Sequence, residues 1–95
     1  MNYVTKIRMK YGCASSSKLT EIEQLYISGK HFEGWYTTQE IYDYLLDSPG
    51  TIFVNIEPYP ELLPAVNASG EKYVKSDQNR SRPDQLLSLP RGGWL

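Results

Sequence analysis

From Tyr3 to Tyr11 the chain alternates strictly, with Tyr3, Thr5, Ile7, Met9 and Tyr11 on one side and Val4, Lys6, Arg8 and Lys10 on the other. A period of two marks a strand with one buried face, so the spacing predicts an N-terminal strand with a basic outer side. Small residues from Gly12 to Ser17 form a loop. Leu19 to Ile27 fits two periods: Leu19, Ile22, Leu25 and Tyr26 suit a helix, while Leu19, Glu21, Glu23, Leu25 and Ile27 alternate as in a strand. The strand is the preferred reading, ended by Ser28-Gly29-Lys30.

An aromatic-rich connection from His31 to Tyr36 leads to Thr37-Thr38-Gln39-Glu40, the pattern of a capping box. The Thr37 hydroxyl can accept from the Glu40 N–H while the Glu40 carboxylate reaches back. Tyr36 and Ile41 occupy the two positions of a hydrophobic staple. At helical spacing Ile41, Tyr42, Leu45 and Leu46 share one arc, and Glu40, Asp43 and Asp47 gather around Tyr44 on the other. Ser48-Pro49-Gly50 stops the helix.

Thr51 to Glu57 is a β-branched run apolar enough to sit centrally in a sheet, with Ile52, Val54 and Ile56 on one face. Pro58, Pro60 and Pro64 predict a stiff surface loop. Leu63–Asn67 and Lys72–Lys75 then read as a hairpin around Ala68-Ser69-Gly70-Glu71. These elements predict an α+β domain over residues 1–91: a mainly antiparallel sheet of four or five strands with one helix packed on one face. Gly92 and Gly93 detach Trp94 and Leu95 from Pro90, which makes 92–95 a flexible tail.

Composition bounds the domain without naming its role. Leu, Ile, Val and Phe total 22 of 95 residues, so the core of a thin two-layer domain must recruit some of the eight tyrosines. No apolar run approaches a membrane span and no leader pattern is evident, so the expected compartment is the cytoplasm. Cys13 and His31 are the only residues of their types, too few for structural zinc. No cofactor is implied. The net charge of -1 conceals blocks: residues 1–30 carry +3, residues 31–65 carry -6, and residues 66–95 carry +2.

The C-terminal third carries one further pattern. Tyr73-Val74-Lys75-Ser76 is followed by Asn79 and by Asp84-Gln85-Leu86-Leu87-Ser88-Leu89-Pro90. This resembles a small bacterial and phage-associated family known as domain of unknown function 3892, whose members show a strand ending Tyr-Leu-Arg-Thr, an Asp three positions later and an Asp-Asn-Leu-Leu-x-Leu-Pro ending. The departures are Ser76 for Thr, Asn79 for Asp and Gln85 for Asn. The resemblance implies a compact α+β domain with a structural C-terminal signature, in which Asp84 caps a turn while Leu86, Leu87 and Leu89 anchor the last segment. It brings no catalytic residue. Its phage association suggests an accessory protein that inhibits or modulates a host protein.

Catalysis finds little support. His31 stands in no nucleophile motif, Glu40, Asp43 and Asp47 read as a solvated helix arc, and Gly92-Gly93 precedes no helix that could cradle phosphate. The expected role is a non-catalytic protein-binding module, monomeric or homodimeric. Its candidate contacts are Trp35, Tyr36, Glu40, Asp43, Tyr44, Asp47 and Trp94. The alternative is a single-stranded nucleic-acid binder using Lys6, Arg8 and Lys10, with Arg80 and Arg82 as neighbours.

Overall fold

Val4, Ile7, Met9, Ile22, Leu25 and Ile27 are all almost fully buried, and strict alternation could not place them on one face. Two bulges do so. The first strand, β1 (Asn2–Met9), pairs antiparallel with β2 (Ile22–Gly29), and the register slips between Val4 and Lys6 and again between Arg8 and Met9. At each slip one strand carries an extra residue, Thr5 in β1 and Glu23 in β2, which reverses the phase of everything beyond it. Val4, expected on the basic side, therefore turns inward, and Tyr3 turns outward with Lys6 and Arg8. Tyr11, expected on the buried face, lies beyond the strand and is fully solvated. The computed structural model describes residues 1–77 and 84–92. Asn79, Arg80, Arg82, Trp94 and the tail residues Gly93 and Leu95 lie outside them.

Leu19–Glu21 forms a 3-10 turn before β2, so the strand reading of this segment holds from Ile22 onward. β2 continues through a tight hairpin into β3 (Glu33–Thr37), and the capping box then starts α1 (Thr38–Asp47) as expected. Glu40 N donates to Thr37 Oγ1 at 3.1 Å, and Thr37 N donates to Glu40 Oε1 at 2.9 Å. Satisfying two otherwise orphaned donors fixes where the helix begins. Its buried face is Thr38, Ile41, Tyr42 and Leu45. Leu46, expected to be buried, is exposed.

β4 (Ile52–Val54) pairs in parallel with Asn2–Val4, giving a four-stranded sheet of order β3-β2-β1-β4. It is shorter than the expected Thr51–Glu57 strand because the chain turns at once: Ile56 N donates to Val54 O and Tyr59 N to Ile56 O. The returning segment covers its far edge, with Val54 N donating to Pro60 O and Phe53 bridging Glu61. Pro60 is consequently buried, not part of a surface loop. β5 (Leu62–Val66) and β6 (Lys72–Ser76) form a second, two-stranded sheet. Asn67 N donates to Glu71 O, so bonded pairs alternate onto Ala65–Tyr73 and Leu63–Lys75. Pro64 opposes Val74 where no ladder donor is needed, which is how a strand tolerates it.

The α+β class with one helix among the described residues is thus observed; the four-stranded sheet is mainly antiparallel with one parallel pair, and the hairpin is set apart as a second sheet. α1 packs between the inner face of the β2–β3 side and the β5–β6 hairpin. Val4, Ile7, Leu25, Ile41, Leu45, Ile52, Leu62, Val74 and Leu86 meet in one core. No helix among the described residues is long and apolar enough to cross a membrane.

The C-terminal signature closes the fold. A 3-10 turn over Gln85–Ser88 buries Leu86 completely and Leu89 almost so, with Leu87 packed at the core margin. Asp84 caps that turn by accepting from Leu86 N at 2.8 Å, and its carboxylate also accepts from Ser76 N at 3.0 Å and Ser76 Oγ at 2.7 Å. The segment then runs beside the second half of β1: Ile7 N donates to Pro90 O and Gly92 N to Ile7 O. Gly92, expected to begin the flexible tail, is therefore held to the sheet. Arg91 ties the same segment to the Gly12–Ser17 loop through the carbonyls of Ala14 and Ser16.

Candidate functional site

With the inner face of the four-stranded sheet spent on the core, its outer face carries residues that folding alone does not require. The register aligns Lys6 of β1, Tyr26 of β2 and Trp35 of β3 in one cross-strand row. Lys6 Nζ lies 5.0 Å from the centre of the Tyr26 ring, and the Arg8 guanidinium lies 4.0 Å from that of Trp35. Tyr26 and Trp35 meet edge to face at 5.4 Å. Arg8 is further fixed by donating from Nη1 to Gln24 Oε1 at 2.6 Å. A cation over an exposed ring is worth about 0.5–1 kcal/mol, enough to order the side chains and too little to drive folding.

A second row joins Glu33, Ser28, Tyr3 and Phe53. Tyr3 packs on Phe53 at 6.3 Å and on Tyr59 at 5.9 Å, which extends the aromatic surface to the loop after β4. Glu33 links the two rows, accepting from Tyr26 Oη at 2.8 Å and from Ser28 Oγ at 2.9 Å. The hydrogen bond from Tyr26, then that from Ser28, holds the Glu33 carboxyl below its ordinary value, and the same bond raises the Tyr26 phenol above its own. A lowered carboxyl pKa means that the bond is intact above the ordinary carboxylate range and lost as pH falls through the Glu33 titration. A raised phenol pKa means that it is lost at the alkaline end only as Tyr26 itself ionises. Glu33→Gln should therefore bring the Tyr26 titration, followed by NMR, back toward 10. An unmoved Tyr26 titration would show that Glu33 does not set it.

The residues expected to contact a partner do not form one surface. Trp35 and Tyr36, adjacent on β3, point to opposite faces, and Trp35 joins Lys6 and Arg8, which belonged to the alternative reading. Tyr36 packs edge to face on Phe32 at 5.1 Å, and Phe32 meets Tyr44 at 5.0 Å, so both tyrosines lie against the core. Tyr44 is half-buried, not an exposed anchor among the helix acids. Glu40 is occupied by the cap and Asp43 accepts from Gln39 Nε2 at 3.1 Å. Asp47 is exposed. Lys10 leaves the basic row and lines a cavity of about 160 Å³ at the start of α1, together with Glu23, Gln39, Glu71 and Lys72. Lys72 lies 5.4 Å from the centre of the Tyr42 ring.

Sequence reasoning missed Tyr3, Tyr26, Phe53 and Tyr59 as surface residues. Period two around Gln24, Tyr26 and Ser28 carried a signal for Tyr26, but the bulge at Thr5 hid Tyr3. Among the described residues no group of three or more His, Cys, Asp or Glu is placed to hold a metal ion. Neither a scan against protein-family models nor searches of curated proteins and of solved structures finds a match to this chain.

Proposed function

We propose that the chain is a non-catalytic binding module that engages a protein partner through the outer face of its four-stranded sheet. The observation that carries this reading is the ordered row of Lys6, Tyr26, Trp35 and Arg8, half-exposed or exposed and outside the core. Trp, Tyr and Arg are enriched among the residues that dominate binding energy at protein interfaces, the two aromatics because they bury large areas with few rotatable bonds and Arg because its planar fork makes several hydrogen bonds at once. Here the rings are already held by one another and by Glu33, so ordering costs little at the moment of binding. The acids of α1 lie on the helix, on the other side of the sheet, where they can steer a partner without touching this row.

The interleaving of Lys6 and Arg8 with aromatic rings also favours single-stranded nucleic acid, where phosphates meet cations and bases stack. One titration separates the two. With a partner recovered from the organism that encodes the protein, Trp35→Ala should weaken affinity roughly 30-fold or more, and added salt should change wild-type affinity only modestly. Binding of an oligothymidine that falls steeply with salt, roughly as the number of phosphates contacted, would instead establish the nucleic-acid reading. Retention of the protein partner at full affinity by Trp35→Ala would remove this face from the interaction.

A further inference from the structure

We propose that β3 pairs with the β3 of a second copy of this chain, joining two four-stranded sheets into one of eight. The fold covers some edges of its sheet and leaves one open. On the four-stranded sheet, β4 is covered by Pro60 and Glu61, and the part of β1 beyond β4 is covered by Pro90–Gly92. Among the described residues nothing pairs with the outer edge of β3. An uncovered edge is a template for another strand.

The phase of the β2–β3 ladder identifies the groups on that edge. Gly29 N donates to Phe32 O, so the bonded pairs alternate onto Ile27–Gly34 and Leu25–Tyr36. The N–H and C=O groups of Glu33, Trp35 and Thr37 therefore point away from β2. Thr37 N confirms the phase by donating to the Glu40 side chain. That leaves Glu33 and Trp35 as the pairing groups.

A two-fold axis perpendicular to the sheet at Gly34 matches these groups to themselves. Glu33 of each copy then opposes Trp35 of the other, both in bonded positions, giving four backbone hydrogen bonds, with Gly34 facing Gly34 between them. The charge pattern selects this register. Glu33 comes to lie beside the Trp35 ring that carries the Arg8 guanidinium, whereas a shift of the axis to residue 33 would set Glu33 against Glu33. Gly34 has φ +143 and no atom within 4 Å of where a Cβ would stand, so no side chain crowds the sheet face beside the axis. Both outer faces fall on the same side of the joined sheet, as an isologous contact requires.

Dimerisation is independent of what the outer face binds, and its test needs no partner. At about 0.5 mM protein the expected mass by light scattering is two chains, falling toward one on dilution. In the same samples the Glu33 and Trp35 amides should exchange slowly when concentrated and rapidly when dilute, while Gly34 and Tyr36, bonded to β2, stay unchanged. Glu33→Lys should raise the dimer dissociation constant roughly tenfold, because symmetry places the unfavourable contact in the interface twice. Unchanged Gly34 and Tyr36 exchange in that variant shows that the strand itself is intact. A mass of one chain at the higher concentration overturns the proposal and leaves the edge to a different chain. A dimer whose Glu33 and Trp35 amides stay unprotected overturns it equally.

Discussion

Leu86→Ala is expected to lower the unfolding free energy by about 2–5 kcal/mol, measured by urea denaturation at neutral pH. Leu86 has no exposed surface and belongs to the same core as Ile7 and Leu62. Removing its side chain leaves a void that the tight 3-10 turn cannot collapse to fill, since Asp84 and Leu89 hold the backbone on both sides. A loss of that size is a large part of what a domain this small possesses. Leu87→Ala, at the core margin, should cost less. Equal midpoints for wild type and Leu86→Ala would mean that the C-terminal segment does not contribute to the fold.

Asp84→Ala should be nearly as damaging, at about 1–3 kcal/mol for the buried groups it strands. Ser76 is 2% exposed, and both its N–H and its hydroxyl donate to the Asp84 carboxylate. Without that acceptor the hydroxyl and the N–H of Ser76 lose their partner in a site with little access to water. Ser76→Ala in the Asp84→Ala background should recover part of the loss, because it removes one stranded donor. Asp84→Asn, which keeps one acceptor oxygen, should fall between. If Asp84→Ala and the double variant unfold together, the hydroxyl contributes nothing and the two backbone donors, Ser76 N and Leu86 N, carry the whole effect.

What the sequence made legible was local. The capping box lies within four residues, so its two reciprocal bonds need no partner from elsewhere in the chain. The Ala68–Glu71 turn is likewise self-contained, with Asn67 Oδ1 accepting from Ser69 N and Glu71 N. Asp84 as a cap and Leu86 as an anchor followed from the C-terminal pattern. What escaped was set across strands. Whether Val4 or Tyr3 faces the core depends on an extra residue at Thr5, and nothing near Thr5 announces a bulge. Arg8 was visible as a surface cation, yet its place over Trp35 requires the registers of β1, β2 and β3 together. Tyr44 lay on the polar arc of α1 until Phe32, in a connector without periodicity, came beneath it.

The way β1 is flanked has a kinetic consequence. Its first residues pair with β4, but Ile7 finds its other neighbour only in Pro90–Gly92. During synthesis the N-terminal strand is made first and completed last, so half of one edge stays unpaired until residue 92 has left the ribosome. Contacts so distant along the chain are slow to form because a long loop must close first. Throughout that interval the nascent chain presents an open strand edge beside an apolar face to its surroundings, the state in which a small β-rich domain is most exposed to aggregation.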